Sequence, residues 1–209
     1  MKIQFESNLD YQDKAIEAIV NIFEGQEICQ SNFTVTGIND NLLTYQNDLG
    51  IGNRLELLDD ELLANIQNIQ LQNGLPQSKK LSSMDFSVEM ETGTGKTYVY
   101  LKSIFELNRK YGFTKFIIVV PSIAIKEGTY KTLEITKEHF KGQFDNVNYD
   151  YFVYDSSNLE QVRDFATSNE IRIMVINIDA FRKSFSDTTK DTKANIIHRT
   201  NDRLNGMNP

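Results

Sequence analysis

The chain is 209 residues long, enough for one domain with a sizeable core and an appendage. At 40% hydrophobic and 24% charged residues it falls well outside the disordered class. A formal net charge of −7 makes it a poor candidate for an autonomous nucleic-acid binder relying on a broad basic face, while leaving room for phosphate contacts along one local groove.

Residues 10–24 carry the first amphipathic pattern. Ala15, Ile16, Ile19, Val20 and Phe23 recur at helical spacing, Asn8 or Asp10 supplies the cap, and Gly25 closes the helix. Cys29 is the only cysteine, so neither a disulfide framework nor a thiolate metal site is available. Residues 26–56 are polar and uneven, with a short hairpin expected around Gly37 to Asn41. Residues 59–73 predict a second helix with Leu62, Leu63, Ile66 and Ile69 on one face. The acidic triplet Asp59-Asp60-Glu61 suits the positive end of its dipole better than it suits a metal. Gly74 to Pro76 and Lys79-Lys80 form a loop. The alternating run Phe86, Val88, Met90 then predicts a short strand, followed at once by Thr92-Gly-Thr-Gly-Lys-Thr97 and a helix that stops at Gly112.

From there the rhythm is regular. Strands are expected over residues 115–121, 149–154 and 171–178. Ser122 caps a helix to about Phe140, with Gly128 as its weak point, and Ser156 or Ser157 caps another over residues 159–167. Strands alternating with helices imply crossover units and a parallel sheet covered on both faces, with ligands at the carboxyl ends of strands. His139, expected at the surface, and His198 are far apart and lack ligand-spaced neighbours. The longest apolar run, Phe116 to Val120, is too short to span a bilayer, and the N-terminus has no apolar signal core. No membrane association and a cytoplasmic location are expected. Residues 183–209 are polar and aperiodic.

Strand, glycine-rich turn and helix in that order form the context of a phosphate-binding loop. Gly93 and Gly95 let the backbone turn and approach a ligand. The unpaired N–H groups at the helix start face the phosphates, with the positive dipole end behind them. Lys96 reaches the β- and γ-phosphates, and the Thr97 hydroxyl holds Mg2+. The candidate nucleotide-binding residues are Glu91, Thr92, Gly93, Thr94, Gly95, Lys96 and Thr97.

Met90 stands where the first glycine of G-x-x-x-x-G-K-[ST] belongs. The narrower x-x-x-G-x-G-K-[ST] of superfamily 2 helicase-type motors resembles Met90 to Thr97 closely. In such motors a glutamine ahead of the phosphate loop commonly reads adenine, and Gln12 at the start of the first helix answers to that role. Phe86 to Phe140, Asp150 to Asp155 and Ile176 to Phe181 together resemble the motor domain of the restriction subunit of type III restriction-modification enzymes. That resemblance implies an α/β, RecA-like P-loop domain with a parallel sheet flanked by helices. It implies ATP and Mg2+ as cofactors, with double-stranded DNA and a modification (methyltransferase) subunit as partners of the full enzyme. By the same likeness Pro121, Ser122, Lys126 and Gly128 match a motif that tracks a DNA strand. Asn177 to Phe181 match a later DNA-facing motif, giving Asn177 and Phe181 as further contact candidates.

A phosphoryl-transfer motor also needs an aspartate on Mg2+ and a group that positions water. The only apolar strand ending in an acid is Met174 to Asp179, and Ala180 follows where glutamate is wanted. The chain therefore reads as an N-terminal piece of a longer protein, truncated before the second acidic motif. Residues 1–83 are expected to hold the first helix and an insert, 84–182 part of the first motor lobe, and 183–209 a tail. Such a piece is expected to bind ATP with no complete catalytic set of its own. Two other readings stay open: a stand-alone nucleotide switch using Asp179 on the metal, and a non-catalytic remnant serving protein contacts.

Overall fold

The computed structural model describes residues 9–28, 52–155 and 158–180. Cys29, the hairpin expected around Gly37 to Asn41, Ser156, Ser157, Phe181, His198 and the tail lie outside the described residues. No helix among those described is long and apolar enough to cross a membrane. The chain divides into two compact units, one built from residues up to 29 and 54–112, the other from residues 30–53 and 113 onward.

The first unit is helical. Helix α1 (Asp10–Val20) continues into a 3-10 turn, Asn21–Phe23, and is followed by α2 (Asp59–Gln72) and α3 (Lys96–Tyr111). Leu9 occupies the position before α1 and makes no side-chain cap; Asp10 lies in the first turn, where its charge serves the dipole. At α2 the acidic triplet lies in the first turn, as the dipole reading expected, and the Glu61 carboxylate in addition accepts from the Leu58 N–H at 2.8 Å, closing the helix start. Asn65 on α2 donates to the carbonyls of Ile22 and Glu24, at 3.0 and 2.8 Å, tying that helix to the end of α1. Ile16, Val20, Leu62, Val99, Leu101 and Phe105 are buried. Each such side chain contributes about 1.5–3 kcal/mol by leaving water.

The strand expected at Phe86 to Met90 does not form. Val88 is exposed and Phe86 and Met90 are half-buried. Alternation only makes a segment capable of strand; a strand exists through ladder hydrogen bonds to a neighbour, and none reaches these residues among those described.

The second unit is a three-stranded parallel sheet with helices on both faces, the α/β, RecA-like arrangement expected. Its elements are β1 (Lys115–Val120), α4 (Ile123–Gln143), β2 (Tyr149–Val153), α5 (Leu159–Thr167) and β3 (Ile171–Asn177). The strand order is β1-β3-β2, with Lys115 opposite Arg172 and Tyr149 opposite Ile171. β3 is central, and Ile171, Ile173, Met174, Val175 and Ile176 are all buried. Phe152 and Met174 cluster with Val162 and Phe165 of α5. Tyr151, one residue from Phe152, meets Tyr130 of α4 ring to ring at 5.4 Å. Successive strand side chains point to opposite faces, so α4 and α5 cover opposite sides.

Gly128 does not interrupt α4, which runs unbroken. One interior glycine costs about 1 kcal/mol, less than the burial of Leu133 and Phe140 returns. His139, expected at the surface, is half-buried, its ring 5.4 Å from that of Phe140. At the base of the sheet Lys115 is buried and donates to the carbonyls of Ser168 and Glu170. Burial, reinforced by Arg172 and opposed by Glu170, lowers its pKa to about 8. The Asn53 amide lies along the same strand end. It accepts from the N–H groups of Thr114 and Lys115 and donates to the Lys115 carbonyl at 2.7 Å.

Candidate functional site

The loop before α3 has the local geometry its sequence called for. Gly93 and Gly95 take φ of +84° and +82°, values that L side chains adopt only under strain. Gly95 immediately precedes α3 at the N-cap position, and its carbonyl accepts from the Val99 N–H at 3.0 Å. The first N–H groups of α3, from Lys96 onward, therefore lack acceptors within the helix and lie beside the loop. Met90 takes no positive φ, which is why the missing first glycine does the backbone no harm.

Lys96 is exposed, and its ammonium bends back to donate to the carbonyls of Met90 and Glu91, at 2.7 and 2.6 Å. The Thr94 hydroxyl also donates to the Glu91 carbonyl at 2.7 Å. The ammonium thus spans the loop from within, held by neutral carbonyl oxygens that a phosphate would outcompete. Glu91, Thr92 and Gly93 are exposed, and a Cβ built on Gly93 would meet nothing within 4 Å. Thr97 follows in the first turn of α3, half-buried. A free-ended helix, an open glycine turn and an exposed cation form a donor set that fits a polyphosphate, and the Thr97 hydroxyl is the group that would hold an accompanying Mg2+.

Gln12 arrives at this loop from α1. Its Nε2 donates to the Thr94 carbonyl at 2.9 Å, across 82 residues of sequence, and the residue is 6% exposed. A Cβ on Gly95 would lie 2.5 Å from that nitrogen, so a side chain there would push the Gln12 amide off the Thr94 carbonyl in addition to straining φ. Three further contacts run along the two helices. Asp13 accepts from Lys102 at 2.8 Å, Lys110 donates to Asn21 at 3.1 Å, and the Tyr111 hydroxyl donates to the Val20 carbonyl at 3.1 Å. Contacts that advance together along both helices make α1 and α3 parallel neighbours. Sequence reasoning found Gln12 and missed Asp13, Lys102 and the Thr94 carbonyl. Their only signal was the adjacency of Asp13 to Gln12.

In the second unit the strand-tracking candidates gather at one edge. Val120 is opposite Asn177 in the register, so Pro121-Ser122 and Asn177 lie at the carboxyl ends of adjacent parallel strands. Ser122 caps α4, its hydroxyl accepting from the Ile125 N–H at 3.3 Å. Lys126 is in the first turn, half-buried, and Gly128 in the second is exposed with open space around it. Asn177 accepts from the Asp179 N–H at 3.0 Å, and Asp179 is exposed. Among the described residues no group of three or more His, Cys, Asp or Glu is placed to hold a metal ion.

With this geometry in view, the comparisons converge. The family described as "Type III restriction enzyme, res subunit" matches residues 7–201. The EcoP15I Res subunit of Escherichia coli is 32% identical over 203 residues, 88% of this chain and 20% of the relative. The EcoPI Res subunit of Escherichia phage P1 is 30% identical over 206 residues, 90% of this chain and 20% of that relative. The StyLTI Res subunit of Salmonella typhimurium is 43% identical over a shorter stretch of 76 residues. The chain spans about a fifth of the length of the first two relatives.

Proposed function

Because the chain belongs to the family of type III restriction enzyme Res subunits, we propose that it is the ATP-binding part of a motor that acts on double-stranded DNA. The observation that carries this reading is the loop itself: two positive-φ glycines at the start of α3, with the Lys96 ammonium folded over them onto carbonyls it can exchange for phosphate oxygens. In this reading the N–H groups from Gly93 to Thr97 take the phosphates, Lys96 leaves Met90 and Glu91 to donate to the β- and γ-oxygens, and Thr97 holds Mg2+. Gln12 reads the adenine edge. Mg2+ supplies charge neutralisation on the phosphates when bound.

Residues 84–182 form part of the first motor lobe in this proposal, with residues 1–83 delivering Gln12 to it. The edge formed by Pro121, Ser122, Lys126, Gly128 and Asn177 meets the DNA backbone, together with Phe181. Ser122 and the N–H groups at the start of α4 suit phosphate oxygens, and Lys126 adds a cation. With a net charge of −7 such contacts are expected to be weak and easily lost with salt. A methyltransferase partner supplies the DNA site in the assembled enzyme.

The test is ligand-induced stabilisation. ATP with Mg2+ at about a hundred times its dissociation constant should stabilise the fold by about 2.7 kcal/mol, or roughly 5–10 °C in melting temperature for a domain of this size. Lys96→Ala should remove most of that shift. An unchanged melting temperature in the unsubstituted chain would count against the reading.

A further inference from the structure

The contact between Gln12 and the loop decides more than where the side chain lies. The Thr94 oxygen is a carbonyl and can only accept, so the partner it faces must be the Gln12 amide nitrogen. That fixes which end of the amide is which. One N–H of Nε2 is committed to Thr94; the second N–H and Oε1 remain. A donor beside an acceptor complements adenine, which offers N7 as acceptor and its N6 amino group as donor. Guanine offers two acceptors, O6 and N7. To meet it the amide would have to present two donors, or turn over and set its oxygen against the Thr94 carbonyl.

The amide keeps this orientation only while α1 holds its rotation against α3. The pair nearest to Gln12 that can set that rotation is Asp13 with Lys102, at 2.8 Å, with side chains 38% and 12% exposed. Partly exposed ion pairs add little to stability, whereas a buried polar group is best attested as fixing register, and the Lys102 end of this pair is largely buried. Asp13 is in the same turn as Gln12, and Lys102 belongs to the helix that starts at the loop. We infer that Asp13 and Lys102 are positioning residues, holding the Gln12 amide on the Thr94 carbonyl in the one orientation that selects adenine over guanine. The inference rests on the nucleotide-binding reading above and adds the source of its base selectivity.

Competition titrations with ATP and GTP on the whole 209-residue chain test it. The unsubstituted chain should prefer ATP. Asp13→Ala should reduce that preference by roughly five- to tenfold, the worth of about one hydrogen bond, through weaker ATP binding with GTP affinity unchanged. The swap Asp13→Lys with Lys102→Asp should restore it. In the nucleotide-free chain, one Gln12 side-chain amide proton should be protected from exchange, lose protection in Asp13→Ala and regain it in the swap. Equal weakening of ATP and GTP, or an unaltered Gln12 amide in Asp13→Ala, would overturn the positioning role. A preference for ATP that survives Asp13→Ala would sink that role and leave the adenine reading standing. Equal affinities before any substitution would sink both.

Discussion

Replacing either loop glycine by alanine gives a paired measurement whose difference is set by one contact. Gly93 and Gly95 have nearly the same φ, +84° and +82°, so alanine at either costs about 1–2 kcal/mol in backbone strain. At Gly93 nothing else is met, since no atom lies within 4 Å of the added carbon. At Gly95 the new Cβ falls 2.5 Å from Gln12 Nε2 and the amide must leave. That breaks the hydrogen bond to Thr94 and strands a buried amide, a further cost of about 1–3 kcal/mol. Gly95→Ala should therefore exceed Gly93→Ala by about 1–3 kcal/mol in urea denaturation followed by circular dichroism, at unchanged m-value. Adding Gln12→Ala to Gly95→Ala removes the clash, so the two changes together should cost less than their sum by more than about 0.5 kcal/mol. Equal losses for the two glycines, or simple additivity with Gln12→Ala, would refute the coupling of Gly95 to Gln12.

Lys115 makes stability depend on pH in a stated direction. Its folded pKa of about 8 lies below the ordinary 10.5, so between those values the unfolded chain binds more protons and stability rises with pH, by at most about 1.4 kcal/mol per unit. Denaturation at pH 8 and 9, where most tyrosines are still protonated, should show the rise, and Lys115→Met should flatten it; parallel profiles would exclude Lys115 as the source. Asn53→Ala removes three hydrogen bonds at the start of β1 and should destabilise by about 1–3 kcal/mol. Amide exchange should accelerate at Thr114 and Lys115 first, and uniform acceleration would argue against a local clip. Turnover is the remaining expectation: the 209-residue chain alone should hydrolyse ATP no faster than its Lys96→Ala variant, with or without duplex DNA. Multiple turnover lost on Asp179→Asn would favour the switch reading instead.

What the sequence determined was everything carried by local pattern. The periodicity of Ala15 to Phe23 and the apolar runs at Phe116 and Ile171 yielded α1, β1 and β3 almost to the residue, because helix and strand repeats are set by backbone geometry. The glycine turn before α3 was legible for the same reason: a glycine position needing positive φ and a lysine at the start of a helix are local requirements. Whether Phe86 to Met90 became a strand was not local, since alternation is silent about a ladder partner. Gly128 looked like a break until the burial of Leu133 and Phe140 outweighed its propensity. The largest gap was at Gln12. Its amide acquires a defined orientation from a carbonyl 82 residues away, and its helix takes its rotation from Lys102, whose charge in the sequence looks like any solvated lysine. Such contacts are made only when two helices are laid side by side, so the tertiary structure alone could decide them.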